Sequence, residues 1–366
     1  MVAQNVKPYT IGRKSSVKIA MQQLDAIGSK ILFVVDGSGR LIGSLTDGDI
    51  RRWILKNGML SGSVDSACNK KPFAVGKEYG IDEVKAVMTR QKIPMIPVVD
   101  GKRRLVDVLM WDAIFGTVGI RVRRQMSIPV VIMAGGKGTR LDPFTRILPK
   151  ALIPIGEKPV IEVIIDRFRD YGITSFHVSI NHKSRMIKAY FEEVRPAYDV
   201  FFLEETKPLG TAGGLSLLKG KVNGDIFVIN CDILIESDLA EIVDFHRKRN
   251  LDVTLIGALR HYRLPYGVCE INGAGNLKGI KEKPEFDLLV NTGFYLLKSS
   301  VLNAIPNDTR TDMTDLIDKL RKQRKKIGVF PISERSWIDV GEWEEFKKAS
   351  AILSVKSQPE FNEAAM

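Results

Sequence analysis

The chain has 366 residues, 44% hydrophobic and 27% charged, which suits two globular domains with sizeable cores. No apolar run approaches the roughly 18 residues needed to span a membrane, and the chain opens without an apolar stretch of signal-peptide type. Three scattered cysteines (Cys68, Cys231, Cys269) and four histidines without ligand spacing argue against a disulfide framework and a structural zinc site, so a cytoplasmic location is expected.

The net charge of +12 is concentrated at the front of the chain. Residues 1–126 carry 21 Lys and Arg against 11 Asp and Glu, whereas the remainder carries 34 against 32. The excess belongs to an N-terminal module and to the Arg121-Val122-Arg123-Arg124 stretch after it, a basic surface and linker suited to an anion such as a nucleotide. No basic–aromatic surface motif accompanies it, so no nucleic-acid partner is expected.

The module is an internal repeat with a period of 64 residues. Ile31-Leu32-Phe33-Val34-Val35-Asp36-Gly37 aligns with Met95-Ile96-Pro97-Val98-Val99-Asp100-Gly101. At the same offset Gly12 meets Gly76, Leu41-Ile42 meets Leu105-Val106, and Ile50 meets Ile114. Each unit reads as helix, apolar strand, Asp-Gly turn, strand and helix, and is too small to bury a core alone, so the two are expected to pack as a pair.

These units resemble CBS domains, which associate in tandem and often bind adenosine nucleotides. The resemblance implies a hydroxyl residue and then a ribose-holding Asp at the turn after the second strand. Thr46 and Asp49 fill those positions in Leu45-Thr46-Asp47-Gly48-Asp49-Ile50. The second repeat has Met110 and Ala113 there, so at most one complete adenine-nucleotide site is expected, and a purely structural module is the alternative.

After Met126 the pattern changes. Ile128 to Ala134 is an apolar, β-branched run ending in Gly135-Gly136. Val160 to Tyr171 has apolar residues at helical spacing; Ser175–Ile180, Val200–Leu203, Ile226–Ile229 and Val253–Ile256 read as strands; and Ser237 is placed to cap a helix running to about Arg249. Alternating strands and helices predict a Rossmann-like α/β fold with a mixed, mainly parallel sheet and ligands at the carboxyl ends of its strands. The expected organisation is repeat 1 over 1–62, repeat 2 over 63–120, a basic linker over 121–127, a catalytic domain over 128–353 and a polar tail over 354–366.

The sharpest motif is Ala134-Gly135-Gly136-Lys137-Gly138-Thr139-Arg140-Leu141, followed by Pro143, Thr145 and Leu148-Pro149-Lys150. A glycine-rich turn after a strand lets backbone amides approach phosphate oxygens, and Arg140 and Lys150 add fixed cations. It lacks the GK[ST] of a Walker A loop, and Leu141 stands where a dinucleotide fingerprint has its third glycine.

This motif resembles the signature of the sugar-phosphate nucleotidyltransferases, which make NDP-sugars from NTPs, and the likeness extends over nearly all of residues 128 to 350. The family fold is the nucleotide-diphospho-sugar transferase fold. The resemblance implies that Ala134, Gly135, Gly136, Gly138 and Thr139 line the phosphates. Leu209-Gly210-Thr211-Ala212-Gly213-Gly214 resembles the loop under base and ribose, which assigns Gly210, Thr211 and Ala212 to the nucleotide. Val228-Ile229-Asn230-Cys231-Asp232 resembles the strand end whose Asp binds magnesium, with Cys231 where the family usually has Gly, which is expected to alter the backbone approach. Tyr266-Gly267, Glu282-Lys283-Pro284 and Asn291-Thr292-Gly293 resemble the sugar-binding stations, which assigns Tyr266, Gly267, Glu282, Asn291 and Thr292 to the sugar. Trp337-Ile338-Asp339-Val340-Gly341 resembles the second metal carboxylate; its continuation, Glu342-Trp343-Glu344, departs from the usual Thr-Pro-Glu, with little chemical effect expected.

Phosphoryl transfer needs charge neutralisation and in-line positioning. Asp232 and Asp339 are hard oxygen ligands for Mg2+. Arg140 is expected on the β- and γ-phosphates, Lys150 near the α-phosphate and Lys283 on the sugar phosphate. Glu205, five residues before Gly210, accepts only and matches the adjacent N1–H and N2–H2 donors of guanine, which points to GTP, with Glu204 similarly placed. Fusion of a CBS pair to this domain resembles bacterial guanylyltransferases of nonulosonate pathways such as that of legionaminic acid. Glucosamine-1-phosphate or a related amino sugar is therefore the expected substrate, mannose-1-phosphate the main competitor, and a homo-oligomer the expected assembly. A non-catalytic sensor on the same fold would have lost phosphate or metal residues, and Arg140, Lys150, Asp232, Lys283 and Asp339 are all present. A nicotinamide-dependent oxidoreductase explains none of the later motifs.

Overall fold

A computed structural model describes residues 6–57, 62–91, 93–115, 124–333, 336–347 and 350. Residues 121–123 of the expected linker and the tail 354–366 lie outside the described residues. The chain divides into two compact units, Met1–Val122 with His261–Asp287, and Arg123–Arg260 with Leu288–Met366. Segment 261–287, which the sequence places inside the catalytic domain, thus groups with the N-terminal unit.

In the first unit the repeat is reproduced element by element. Strand β1 (Thr10–Gly12), helix α1 (Val17–Ile27), strands β2 (Ile31–Val35) and β3 (Leu41–Thr46) and helix α2 (Asp47–Asn57) form the first copy. After the short α3 (Val64–Ala67) come α4 (Ile81–Gln91), β4 (Met95–Val99), β5 (Leu105–Met110) and α5 (Trp111–Phe115). Even the irregularities recur: both hairpins are antiparallel and shift register at the same place, Val34/Val35 in one and Val98/Val99 in the other. The parallel pair Ile11↔Val34 returns as the bridge Val75↔Val98. Leu32 and Val34 face α1 in one core, and Ile96 and Val98 face Val84 and Met88 in another. The other face of each strand fills a shared cluster of Ile31, Phe33 and Leu41 with Met95 and Val108. Burial on both faces explains why these strands are continuously apolar instead of alternating.

In the second unit, β6 (Val130–Met133) leads through α6 (Phe144–Ile147) and the two-residue strands β7 (Pro154–Ile155) and β8 (Lys158–Pro159) into α7 (Val160–Arg169). There follow β9 (Ser175–Ile180), α8 (Ser184–Val194), β10 (Asp199–Glu204), α9 (Gly210–Gly213), β11 (Asp225–Asn230), β12 (Ile233–Ile235) and α10 (Leu239–Lys248). The chain continues with β13 (Val253–Arg263), then the hairpin β14 (Val268–Ile271) and β15 (Leu277–Lys281) in the segment that groups with the first unit, then β16 (Glu285–Lys298), α11 (Met313–Lys322), β17 (Ile327–Ile332) and β18 (Trp337–Asp339). Seven strands form one sheet in the order β10-β9-β6-β11-β16-β13-β17. The pairs β10–β9, β9–β6, β6–β11 and β13–β17 are parallel, and β11–β16 is antiparallel, giving the mixed, mainly parallel sheet expected.

Alternate residues of the central strands go to opposite faces. Val130, Ile132, Phe227, Ile229, Phe294 and Leu296 join α7 and α10 in one core, while Val131, Met133, Ile226, Val228, Tyr295 and Leu297 meet α11 in the other. One core centres on Phe168, Phe227 and Phe294, with ring centroids 5.5–5.9 Å apart. One expected cap is corrected. Asp238, not Ser237, caps α10, its carboxylate accepting from the Ala240 amide at 2.9 Å, while the Ser237 carbonyl accepts from Arg167. Asp238 has the extended backbone that an N-cap requires and a carboxylate long enough to reach the second helical amide.

Candidate active site

From β6 the chain runs outward to β9 and β10, then crosses back to β11 on the other side of β6. That reversal makes the carboxyl ends of β6 and β11 the natural ligand crevice. The glycine-rich turn follows β6, and Asp232 follows β11. Gly138 has φ +69°, and a Cβ there would lie 2.8 Å from the Thr145 Cγ2 and 3.0 Å from the Lys150 Cβ, so this corner admits only glycine without strain. Ala134 donates its amide to the Ser179 carbonyl in the sheet, so that amide is engaged within the fold. Gly136, Lys137, Thr139 and Arg140 are exposed. Thr145 donates to Asp142 at 2.9 Å, and the Lys183 ammonium donates to the Thr145 carbonyl at 2.8 Å, fixing the turn from below. Lys183 is a positioning residue for this loop that the motif alone does not reveal.

The two candidate metal carboxylates are joined by a ribbon. Strands β12 and β18 pair antiparallel with Ile233 opposite Asp339, and the Val340 amide donates to the Asp232 carbonyl at 2.9 Å. The Lys150 ammonium bonds the Asp232 carboxylate, both side chains nearly buried, and Arg140 lies 3.9 Å from the same carboxylate. Gly341 marks the convergence: a Cβ there would collide with the Lys150 ammonium and sit 2.5 Å from Asp232 Oδ2 and 2.8 Å from Asp339 Oδ1. Burial, and after it the charge of Asp232, raises the Asp339 carboxyl above its ordinary pKa. Two carboxylates sharing one desolvated corner are a donor set that fits a hard divalent cation, with phosphate oxygens and water completing the shell. Among the described residues no group of three or more His, Cys, Asp or Glu could hold a metal by itself. Cys231 is buried in the core, and burial pushes its thiol up to about 12.

Several polar residues assigned to ligand contact have partners within the protein. Glu205 is buried; one carboxylate oxygen accepts from Ser179 and the other from the Leu209 amide at 2.9 Å, which closes the loop before α9. Any further contact to Glu205 would use its remaining lone pairs. Glu204 is exposed and pairs with Lys188. Thr211 accepts from the Met313 amide at 2.8 Å, and the Ala212 and Gly213 amides donate to the Thr311 carbonyl, so this loop is braced on the start of α11. Gly210, at φ +81°, approaches the Thr311 carbonyl and Asp312 in the same brace. Thr292 is fully buried and donates its hydroxyl to the Ile256 carbonyl. Asn291 is exposed and donates to the Tyr295 hydroxyl at 2.7 Å.

Tyr266, Gly267, Glu282 and Lys283 lie in the 261–287 segment of the first unit. There Tyr266 is exposed, a Cβ on Gly267 would stand 2.8 Å from the Glu282 carboxylate, and Lys283 adopts φ 44°. Also in that unit, Thr46 and Asp49 cap α2 reciprocally. The Asp49 carboxylate accepts from the Thr46 amide at 2.8 Å and hydroxyl at 2.7 Å, and the Thr46 hydroxyl accepts from the Asp49 amide. Met110 and Ala113 leave α5 without that device.

A nucleotidyl transferase family model matches residues 129–355, and a CBS domain model matches residues 3–56. The UTP–glucose-1-phosphate uridylyltransferase of Synechocystis is 30% identical over 60% of this chain and 61% of its own length. The mannose-1-phosphate guanyltransferase of Yarrowia lipolytica is 30% identical over 61% of this chain and 63% of its own length. The chain thus spans just over three-fifths of the curated relatives it matches. The crystal structure of HddC from Yersinia pseudotuberculosis is 25% identical, covering 62% of this chain and 99% of that one, with a TM-score of 0.49.

Proposed function

This chain belongs to the nucleotidyl transferase family, and on that premise we propose that it transfers a nucleotidyl group from an NTP to a sugar-1-phosphate, releasing pyrophosphate. The observation carrying this reading is the convergence of Lys150, Asp232 and Asp339 around Gly341 at the carboxyl end of β11, beside the glycine-rich turn. The sugar phosphate oxygen attacks the α-phosphorus in line, the bond to the bridging oxygen breaks, and pyrophosphate carries away the electron pair. Mg2+ bound to Asp232 and Asp339 would withdraw charge from phosphate oxygens. Lys150, released from Asp232, neutralises the α-phosphate, and Arg140 stabilises the departing β- and γ-phosphates. The family motif assigns Lys283 to the sugar phosphate and Tyr266, Gly267, Glu282, Asn291 and Thr292 to the sugar.

The nucleotide is GTP in this reading. Its supports are the acceptor-only Glu205 before the 209–214 loop and the similarity to mannose-1-phosphate guanyltransferases. The sugar is glucosamine-1-phosphate or a related amino sugar, on the fusion of CBS repeats to the catalytic domain; mannose-1-phosphate is the alternative that the guanyltransferase relatives favour. An adenine nucleotide bound at the first CBS repeat, using Thr46 and Asp49, would adjust turnover. Phosphorus NMR of a GTP, Mg2+ and sugar-1-phosphate mixture tests the proposal. A new pair of diphosphate resonances from GDP-sugar supports it, and UTP or CTP outrunning GTP overturns the base assignment.

A further inference from the structure

The residue after the second carboxylate-glycine pair is Glu342, and it reaches across 202 residues of sequence to bond the Arg140 guanidinium. Its neighbour Trp343 packs on Phe144 with ring centroids 5.4 Å apart and stacks on Phe346 at 5.7 Å. Lys347 lies 5.5 Å over the same indole. Residues 342–347 therefore clasp the outer side of the signature turn from Arg140 to Phe144. Arg140 and Glu342 are both about half exposed, at 56% and 52%, so their bond exchanges readily with an incoming anion.

We infer that Glu342 is a positioning residue that holds Arg140 as an internal counter-anion and sets NTP affinity, because the β- and γ-phosphates must displace it. The inference rests on the nucleotidyl-transfer reading above. With Glu342 in place, two cations (Arg140, Lys150) face three carboxylates (Asp232, Asp339, Glu342) before substrate arrives. Displacement costs the triphosphate the exposed ion pair and obliges it to approach a like charge. Removing the carboxylate lifts both penalties and leaves the aromatic contacts of Trp343 intact.

The test is calorimetric titration of the full chain with GTP, and separately with inorganic tripolyphosphate, in Mg2+ and without sugar. Glu342→Gln and Glu342→Thr are each expected to bind GTP about fivefold more tightly than wild type. Tripolyphosphate is expected to gain by the same factor, because the displaced contact is to phosphate. In steady state KM for the nucleotide should fall by that factor with kcat within about twofold. The gain should vanish when Arg140→Ala is combined with either change. Equal or weaker binding by the variants overturns the inference, as does a gain that survives loss of Arg140. Failure of wild type to bind any nucleotide overturns the nucleotidyl-transfer reading beneath it.

Discussion

Replacing Gly341 by alanine should abolish most turnover while leaving the fold intact. Gly341 does not require the left-handed region, so alanine meets no backbone penalty, and the constraint is the space its Cβ would take. Ordinary contact begins at 3.4 Å, so Asp232 Oδ2 and Asp339 Oδ1 would each have to retreat by about 0.9 and 0.6 Å, and the Lys150 ammonium would be displaced as well. Shifts near 1 Å in groups that position reacting atoms cost about 10²-fold in rate, and here three such groups move together, so a loss of at least about 10²-fold is expected. The closest contacts fall on side-chain ends and none on backbone, so stability should change by less than about 1 kcal/mol, or roughly 2–4 °C in Tm for a unit of this size. Pyrophosphate release at saturating Mg2+ gives the first quantity and thermal melting the second. Turnover within about fivefold of wild type would refute the claim that these residues form the reacting centre.

Lys150→Ala should lower kcat about 10²- to 10³-fold, the scale for removing one preorganised donor, with near-normal turnover sinking its assignment to the α-phosphate. Glu205→Gln should cut discrimination between GTP and UTP by the equivalent of about 1–3 kcal/mol, and an unchanged nucleotide preference would leave Glu205 only its bonds to Ser179 and Leu209. Burial, then the charge of Lys221, lowers the His177 pKa below 6.5, and the ring stacks on Phe201 at 5.1 Å. Between that lowered value and 6.5 the unfolded chain binds more protons than the folded one, so stability falls as pH drops through this window. His177→Phe should flatten the dependence of Tm on pH between about 7 and 5, and an unaltered slope would contradict the sign.

The elements were largely legible because their signals are local. The 64-residue period gave the order of helix, strand and turn in both repeats, since each copy solves the same packing problem with the same residue types. The helix at Val160 and the strand Ser175–Ile180 carry clear periodicity, and both formed as expected. The glycine-rich turn and the pairing of Asp232 with Asp339 were readable as motifs, although only the β12–β18 register shows how the two carboxylates meet. Hydroxyl and carboxylate employment was not readable. Thr211, Thr292 and Glu205 are the right residue types for ligand contact, yet each takes a partner from a distant or crossing segment that no local pattern announces. The same holds for Glu342, whose partner lies 202 residues away, and for the grouping of segment 261–287 with the N-terminal unit.

The measurement that bears most directly on the central claim is Mg2+-dependent pyrophosphate release across GTP, CTP, UTP, dTTP and ATP, each with glucosamine-1-phosphate, mannose-1-phosphate and glucose-1-phosphate, for wild type and Asp232→Asn. Release with GTP and an amino-sugar phosphate, lost in Asp232→Asn and on chelation, is the predicted result. A folded wild-type protein releasing no pyrophosphate with any pair would contradict the account and favour a sensor on the transferase fold.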